Sequence, residues 1–340
     1  MPCYNKEYEL QRILEAYDRQ DSGEKFEIVA IDDGSIDGTL ALLSGYQPVH
    51  FDLQIHRLTK NSGPAAARNL GISVAKGSLL LFVGDDILPT DNFISQHLVA
   101  HENYKETHVA ILGFTTWPPD IPINAVMLHI DGVGAEQFSY YYMREGQEYD
   151  FRHFYTSNVS IKADFLRSTH PWFDTTFPYA AYEDVELAYR LSKKGLCIIY
   201  SSKPKAYHYH YHNVWTFSKR QYRAGLMACH LLKKHPELGT IIRGSSWHLH
   251  VVRISALGYY YRQIKHIRLP DEIEKLVLYT ASKAEYDLQT QNHELFSRLF
   301  RYFFLKGLLH GSKYPAAIKN NTVNYLAISI LHTLSSRITT

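Results

Sequence analysis

Two adjacent carboxylates follow an apolar segment in the N-terminal half of the chain. Leu79-Leu80-Leu81-Phe82-Val83 runs directly into Gly84, Asp85 and Asp86. A short apolar run bounded by glycine and acid is typical of a strand buried on both faces of a parallel sheet, and ligands bind at the carboxyl ends of such strands. Because neighbouring like charges repel, a divalent cation that also carries phosphate oxygens is the favoured explanation. A solvated turn with two surface acids is the alternative.

Tyrosine and histidine alternate over residues 207–212. In a strand, residues two apart share a face, so His208, His210 and His212 are expected on one side. His208 is the best placed of them to complete a metal shell or to contact a diphosphate. A zinc site made of the three histidines and a plain strand with histidines on its solvated face are the alternatives.

The composition is that of an ordinary globular protein. Its 340 residues are 45% hydrophobic and 21% charged, enough for one large or two medium domains. Cys3, Cys197 and Cys229 are scattered without metal-ligand spacing and indicate reduced thiols. The sequence shows no signal-peptide pattern and no apolar run that would span a bilayer, so a cytoplasmic location is expected.

Charge is distributed unevenly along the chain. Residues 1–199 carry a net charge of −11 and residues 200–340 one of +13, which together give the overall +2. The acidic part suits a metal-bearing site, and the basic part suits phosphates, an anionic membrane surface or an anionic acceptor. Docking of the basic half on the acidic half is the alternative explanation.

Strand and helix patterns alternate over the first part of the chain. Apolar strand patterns cover residues 26–31, 51–55 and 79–83, and helical spacing occurs between them. This alternation predicts an α/β fold with a mostly parallel sheet flanked by helices. From residue 203 onward helical patterns dominate. We therefore expect a nucleotide-binding and catalytic domain over 1–202 and a mainly helical extension over 203–340 that completes the acceptor side.

Several phosphate-binding signatures are absent from the sequence, including G-x-G-x-x-G after a strand and G-x-x-x-x-G-K-[ST]. An ordered set of five motifs instead resembles the inverting family 2 glycosyltransferases with the GT-A fold. The matching segments are Pro2-Cys3-Tyr4-Asn5, residues 27–39 (EIVAIDDGSIDGT), residues 61–69 (NSGPAAARN), residues 82–89 (FVGDDILP) and residues 182–191 (YEDVELAYRL). Each motif alone is weak, but their order across residues 1–195 is specific.

The resemblance implies a role for each matching residue. Nucleotide binding is expected of Cys3, Asn5, Asp32, Asp33, Arg68 and Asp85. Asp86, with Asp85 and His208, is expected to hold Mn²⁺ or Mg²⁺ against the donor diphosphate. Gly84 stands where the family has the first acid of its D-x-D motif, so the site is incomplete and Asp86 is its principal ligand.

Asp184 is expected to be the general base that takes the proton from the acceptor hydroxyl. An acid in a first helical turn is also a common complement to the helix dipole, so the position alone does not assign the role. A weaker expectation of donor or acceptor contact covers Asn158, Trp172, Glu183, Arg220 and Arg223. The family also has an apolar strand before its Pro-x-Tyr-Asn turn; since Met1 stands there, the first strand is expected to be missing.

These expectations describe an inverting glycosyltransferase that moves a sugar from a nucleotide-diphosphate donor, with a UDP-sugar favoured, to a saccharide or lipid-linked acceptor. A role in polysaccharide biosynthesis is implied, and no nucleic-acid partner is expected. Peripheral contact with the inner face of the membrane is expected through the basic C-terminal part, including the helix predicted at 298–310. The alternative function is a catalytically weak nucleotide- or sugar-binding relative.

Overall fold

The computed structural model describes residues 1–133, 137–243, 271–288 and 292–312. The chain divides into two compact units. Unit 1 comprises Met1–Pro122 and Phe138–Tyr211, and unit 2 comprises Ile123–Gln137 and His212–Thr340. The domain boundary predicted between residues 202 and 203 lies within a long strand of unit 1, Cys197–His208.

Unit 1 begins with a parallel three-stranded sheet in the order β1-β2-β3. Its strands are β1 (Pro2–Cys3), β2 (Glu27–Asp32) and β3 (Asp52–Arg57). In the register of β1 on β2, Pro2 lies opposite Ile31 and Cys3 opposite Asp32. The first strand, expected to be missing, is thus present as a two-residue strand whose backbone pairs with β2.

Helices α1 (Leu10–Asp18) and α2 (Thr39–Gly45) connect the strands of this sheet, and α3 (Pro64–Val74) follows β3. In α1 the apolar residues recur at helical spacing, which places Leu10, Ile13, Leu14 and Tyr17 in a buried cluster with Ile28 and Ala30 of β2. Pro64 opens α3, where a missing backbone N–H costs nothing. The carboxyl ends of β1 and β2 therefore face the loop that leads into α3.

The second sheet of unit 1 is mixed and has the order β4-β8-β6-β9-β5, with β7 on β9. Its strands are β4 (Leu79–Val83), β5 (Ile87–Pro89), β6 (Val109–Thr116), β7 (Glu148–Tyr149), β8 (Asn158–Lys162) and β9 (Cys197–His208). Helices α4 (Phe93–Asn103), α6 (Ala163–Arg167) and α7 (Glu183–Ser192) accompany it. The predicted α/β class is confirmed, with one parallel sheet and one mixed sheet.

The described part of unit 2 is helical. It contains α5 (Ala125–Asp131), α8 (Val214–Lys234), α9 (Gly239–Arg243), α10 (Asp271–Ala284) and α11 (His293–Gly311). In α11 the apolar face of the helix predicted at 298–310 is buried, and Phe300 packs edge-on against Phe217 of α8 at 4.6 Å between ring centres. Within the described residues, every helix is too short or too polar to cross a bilayer.

Candidate active site

The acidic turn after β2 is held by its own neighbours. Asp32 is fully buried; its Oδ1 accepts a hydrogen bond from the Ser35 amide at 3.0 Å, and its Oδ2 lies 3.1 Å from Arg57 Nε. Asp33 accepts hydrogen bonds from the amides of Ser62 at 2.7 Å and Gly63 at 2.8 Å. Burial raises the pKa of Asp33, although these two amides oppose the shift. Both carboxylates therefore shape the turn and the loop that leads into α3.

Gly34 follows these acids with a positive φ of 73°. A Cβ built on it would lie 2.7 Å from the carbonyl carbon of Lys60. Only glycine lets this turn adopt the left-handed conformation and approach the next loop so closely. The glycine of the motif thus has a geometric reason in this fold.

The segment after β1 lies between the two acidic loops. Its Tyr4 amide donates to Asp85 Oδ2 at 2.9 Å, and its Asn5 amide donates to Ser35 Oγ at 3.1 Å. Asn5 also accepts from the Ile36 amide at 3.0 Å through Oδ1. Cys3 is buried; burial, followed by the charge of Asp85, raises the pKa of its thiol. Tyr4 and Asn5 consequently connect the loop after β4 with the loop after β2.

Asp86 and two histidines form the one group of potential metal ligands found among the described residues. A carboxylate oxygen of Asp86 and one nitrogen each of His208 and His210 lie within 4.8 Å of one another. His208 Nε2 is 3.4 Å and His210 Nδ1 is 3.5 Å from Asp86 Oδ2. Strand pairing produces this arrangement, because Ile87 of β5 lies opposite His208 of β9 and the Tyr209 amide donates to the Asp86 carbonyl at 2.8 Å.

The two acids of the opening pair have different surroundings. Burial and the neighbouring Asp86 charge raise the pKa of Asp85 to about 7. Burial acts in the same direction on Asp86, but His208, His210 and Lys6 outweigh it and hold the pKa of Asp86 well below its usual range. Asp85 was predicted as a second metal ligand, yet its Oδ2 is bonded to the Tyr4 amide and it lies outside the Asp86 group.

The beginning of α7 carries the predicted base. Tyr182 has a left-handed backbone with φ 68°, and Glu183 and Asp184 follow in the first turn. Asp184 is half-buried, and its Oδ1 accepts from the Val185 amide at 2.8 Å. Burial, and next the charge of Glu183, raise the pKa of Asp184 to about 7, while Arg68 acts in the opposite direction. A carboxylate with such a pKa can exchange a proton near neutrality.

Arg68 is directed toward this helix. Its Nη1 donates to Glu183 Oε1 at 2.8 Å in an ion pair whose side chains are 11% and 4% exposed. The helix that carries Arg68 also packs against β1, which ends at Cys3 beside Asp85. The structure therefore brings the predicted residues of β1, β4, α3 and α7 into one region of unit 1.

The remaining predicted donor or acceptor residues have different surroundings. Asn158 is fully buried in β8, where its amide bonds to His97 and to the carbonyls of Phe114 and Pro204. Trp172 is half-buried and packs against the core beneath α7. Arg220 and Arg223 lie on α8 of unit 2. His212, the third histidine of the alternation, also belongs to unit 2, where it packs against Phe217.

Three residues near Asp86 were not among the predicted site residues: His210, Lys6 and Trp117. His210 was recognised only as part of the alternation, whose spacing was the available signal. Lys6, whose Nζ lies 3.9 Å from Asp86 Oδ2, directly follows the first motif and has no local signal. Trp117 lies outside the five motifs, and its ring stacks on His208 at 5.5 Å between ring centres and 13° between ring planes.

The order of sheets and helices in unit 1, with acids at the ends of β2 and β4, defines the GT-A class of folds. Mannosyltransferase PcManGT from Pyrobaculum calidifontis, solved with GDP-Man and Mn²⁺, matches 92% of this chain and 86% of that chain with a TM-score of 0.57 and 15% identity. S. aureus TarS 1–349, solved with UDP, matches 92% and 91% of the two chains with a TM-score of 0.50 and 17% identity. At these identities the likeness shows the fold.

In sequence, residues 1–158 match the family model of Glycosyl transferase family 2. The uncharacterized glycosyltransferase YfnE of Bacillus subtilis (strain 168) is 34% identical over 113 residues, which are 33% of this chain and 28% of that protein. The matches to the first three curated relatives span 28%, 45% and 17% of those proteins' lengths. The predicted family is thereby confirmed for the N-terminal part of the chain.

Proposed function

We propose that this protein transfers a sugar from a nucleotide-diphosphate donor to an acceptor hydroxyl, with inversion at the anomeric carbon. The observation that carries the proposal is that one unit contains both a potential cation site at Asp86 and a carboxylate, Asp184, whose pKa is raised to about 7. In this mechanism Asp184 takes the proton of the acceptor hydroxyl as that oxygen attacks the sugar. The acceptor gains the sugar and the nucleotide diphosphate leaves.

The residues around Asp86 fit a divalent cation. One carboxylate oxygen and two imidazole nitrogens are a donor set that suits Mn²⁺ better than Mg²⁺, which prefers an all-oxygen shell. Asp86, His208 and His210 would hold the ion. When bound, it would neutralise charge that develops on the departing diphosphate. Lys6 adds a positive charge beside the same carboxylate.

The nature of the donor and of the acceptor belongs to this proposal as well. One structural neighbour was solved with GDP-Man and Mn²⁺ and another with UDP. A UDP-sugar donor, a saccharide or lipid-linked acceptor, a part in polysaccharide biosynthesis and a cytoplasmic location stay predictions. Peripheral membrane contact through the basic C-terminal part also stays a prediction, and the apolar residues of α11 that could have made it, such as Phe300 and Leu308, are buried.

Titration calorimetry with UDP, GDP and dTDP, each with and without Mn²⁺, tests the proposal. We expect one nucleotide to bind preferentially and only in the presence of metal. The Asp184→Asn variant should retain that binding and lose transfer of the sugar, while Asp164→Asn, at an exposed position on α6, should retain both. Absence of nucleotide binding, or full transfer by Asp184→Asn, would refute the proposed function.

A catalytically weak nucleotide- or sugar-binding protein is the second candidate. Gly84 in place of an acid and the engagement of Asp32 by Arg57 favour it. Metal-dependent nucleotide binding without transfer to any saccharide acceptor, and without hydrolysis of the donor, would select this function.

A further inference from the structure

The ion pair between Arg68 and Glu183 joins two helices that are far apart in sequence. Arg68 lies in the early turns of α3 and Glu183 is the first residue of α7. Their 2.8 Å contact is almost completely removed from solvent, since the two side chains are 11% and 4% exposed. A buried charge is tolerated only with its partner in place, so each residue depends on the other.

A second set of contacts joins α3 to Phe173, which shares a buried cluster with α7. The Asn69 side chain donates to the Phe173 carbonyl at 2.8 Å and accepts from the Phe173 amide at 2.9 Å. The Arg68 guanidinium lies 5.4 Å from the centre of the Phe173 ring. Because Phe173 is itself buried in the core that includes Leu187 of α7, these contacts fix α3 relative to the beginning of α7.

The residue before Glu183, Tyr182, has a strained backbone that neighbouring contacts must hold in place. Tyr182 has a φ of 68°, in the left-handed region that residues other than glycine, asparagine and aspartate rarely adopt. Such strain persists where the surroundings over-determine it, and it clusters at functional sites. Glu183, which follows Tyr182 directly, is the residue paired with Arg68, and Asp184 is next in the chain.

We infer that Arg68 and Glu183 are positioning residues that hold the first turn of α7, and with it the Asp184 carboxylate, and that Arg68 works through Glu183 instead of contacting the nucleotide. This inference rests on the proposed function, in which Asp184 is the base. It changes the roles expected from the sequence, which placed Arg68 at the nucleotide and Glu183 at the donor or acceptor.

The pair also sets the charge around Asp184. Glu183 disfavours ionisation of Asp184, and Arg68 favours it. Tyr155, from the segment before β8, also interacts with Asp184 electrostatically. The short helix Phe151–His153 packs on α7 and contributes Arg152 and His153, both of which contact Asp150. Removing either member of the pair should therefore displace the titration of Asp184 in a known direction.

Three single variants of the full-length protein test the inference: Arg68→Met, Arg68→Lys and Glu183→Gln. The measurements are the pH profile of kcat/KM, the Kd of the nucleotide preferred by the wild type, and the ¹³C carboxyl titration of Asp184. Arg68→Met should move the acid limb to higher pH and lower kcat by about 10²-fold, as a small misplacement of a catalytic group does. Glu183→Gln should move the limb to lower pH, and Arg68→Lys should restore part of the wild-type profile.

The outcomes are distinguishable. A large rise in nucleotide Kd for Arg68→Met, with the acid limb unmoved, would show that Arg68 is a nucleotide contact and overturn the inference. A loss of kcat in folded Arg68→Met and Glu183→Gln without any displacement of the limb would also overturn it. Full transfer by Asp184→Asn would refute the proposed function instead, and the carboxyl titration would still report whether the pair acts on Asp184.

Discussion

Asp184 shows how a single carboxyl group acquires a pKa suited to catalysis. An ordinary aspartate has a pKa of about 4. In this protein burial and the adjacent Glu183 charge raise the pKa of Asp184 to about 7, and Arg68 limits the shift. In the proposed mechanism Asp184 must be ionised before the reaction, so its pKa would control the fraction of active enzyme at each pH.

We therefore expect the rate of sugar transfer to rise with pH and to level off above about 7. Below that pH Asp184 is protonated and cannot accept the proton of the acceptor. The measurement is kcat/KM between about pH 5 and about pH 9, where a limb near 7 falls inside the range and a limb near the ordinary aspartate value would leave the rate almost flat. An acid limb close to the ordinary aspartate value would contradict this environment for Asp184.

The residues at the potential cation site determine which ion is preferred. Gly84 occupies the place of an acid, and a Cβ at that position would lie 2.7 Å from Asp86 Oδ1. A side chain at this position would therefore displace the Asp86 carboxylate, which lies beside His208 and His210. Imidazole nitrogen favours first-row transition ions over Mg²⁺.

Accordingly, Mn²⁺ should bind more tightly than Mg²⁺ in the presence of the preferred nucleotide. Asp86→Asn and His210→Ala should weaken Mn²⁺ binding by at least about tenfold, the lower limit for loss of even an outer-shell partner of a metal ligand. Electron paramagnetic resonance of free Mn²⁺ gives the affinity without reference to activity. His50→Ala, at an exposed position after α2, is the matched control; equal affinity in all variants would exclude the site.

At the scale of elements, α4 is joined to β8 by a buried chain of polar groups. Residues two apart on β8 and four apart on α4 face each other, which aligns Asn158, Ser160 and Lys162 with His97 and His101. The chain runs from Asn158 Oδ1 to His97 at 2.8 Å, through Ser160 Oγ, to His101 at 2.9 Å and Lys162 Nζ at 3.3 Å. Both histidines must stay neutral to keep these bonds.

These hydrogen-bonded histidines make the stability of the fold dependent on pH. Burial lowers the pKa of His97 to about 3 and that of His101 to about 4. Below about pH 6.5 the unfolded chain binds protons at these positions and the folded protein does not, so stability falls as pH falls. Each histidine contributes a slope of up to about 1.4 kcal/mol per pH unit.

Urea unfolding at several pH values between the pKa of His101 in the folded protein, about 4, and that of an unfolded histidine, about 6.5, measures this dependence. In His101→Gln the loss of stability on acidification should be smaller than in the wild type, although the variant is less stable at neutral pH. His50→Ala, which removes an exposed histidine, should retain the wild-type dependence. The same slope in wild type and His101→Gln would mean that His101 is protonated in the folded protein.

Helices α8 and α11 of unit 2 cross at two glycines. A Cβ on Gly225 would lie 1.9 Å from the Phe304 carbonyl oxygen, and one on Gly307 would lie 1.9 Å from the Tyr222 carbonyl oxygen. Backbone atoms of the two helices are thus in direct contact, and no side chain fits between them. Glycine is unfavourable inside a helix, so close packing is the reason for its presence here.

Gly225→Ala and Gly307→Ala should each destabilise the protein by about 1–3 kcal/mol, because overpacking forces the helices apart. The gain in helix propensity is smaller than this cost. Gly239→Ala is the matched control, since a Cβ there meets no atom within 4 Å. The free energy of unfolding from urea titration measures the effect; wild-type stability in Gly225→Ala would show that the helices cross with more space.

For the whole molecule, the local patterns of the sequence were sufficient to assign fold class and family. Each of the apolar runs that become β2 and β4 is followed within a few residues by its own pair of acids. Such signals depend on backbone alternation and turn chemistry, which contiguous residues determine. Asp86, His208 and the α/β architecture were identified in this way, whereas Asp184 became a candidate through the resemblance of the ordered motifs to the family.

The partners of the charged residues were decided only by the tertiary structure. Arg68 meets Glu183 because α3 packs beside the beginning of α7, and Asn158 is withdrawn into the core by the pairing of β8 with β4 and β6. His210 reaches Asp86 because β5 pairs with β9. Which charge meets which depends on strand order and helix packing across long sequence separations. The sequence alone therefore determined which residues are candidates for the site, and the tertiary structure determined which of them lie together.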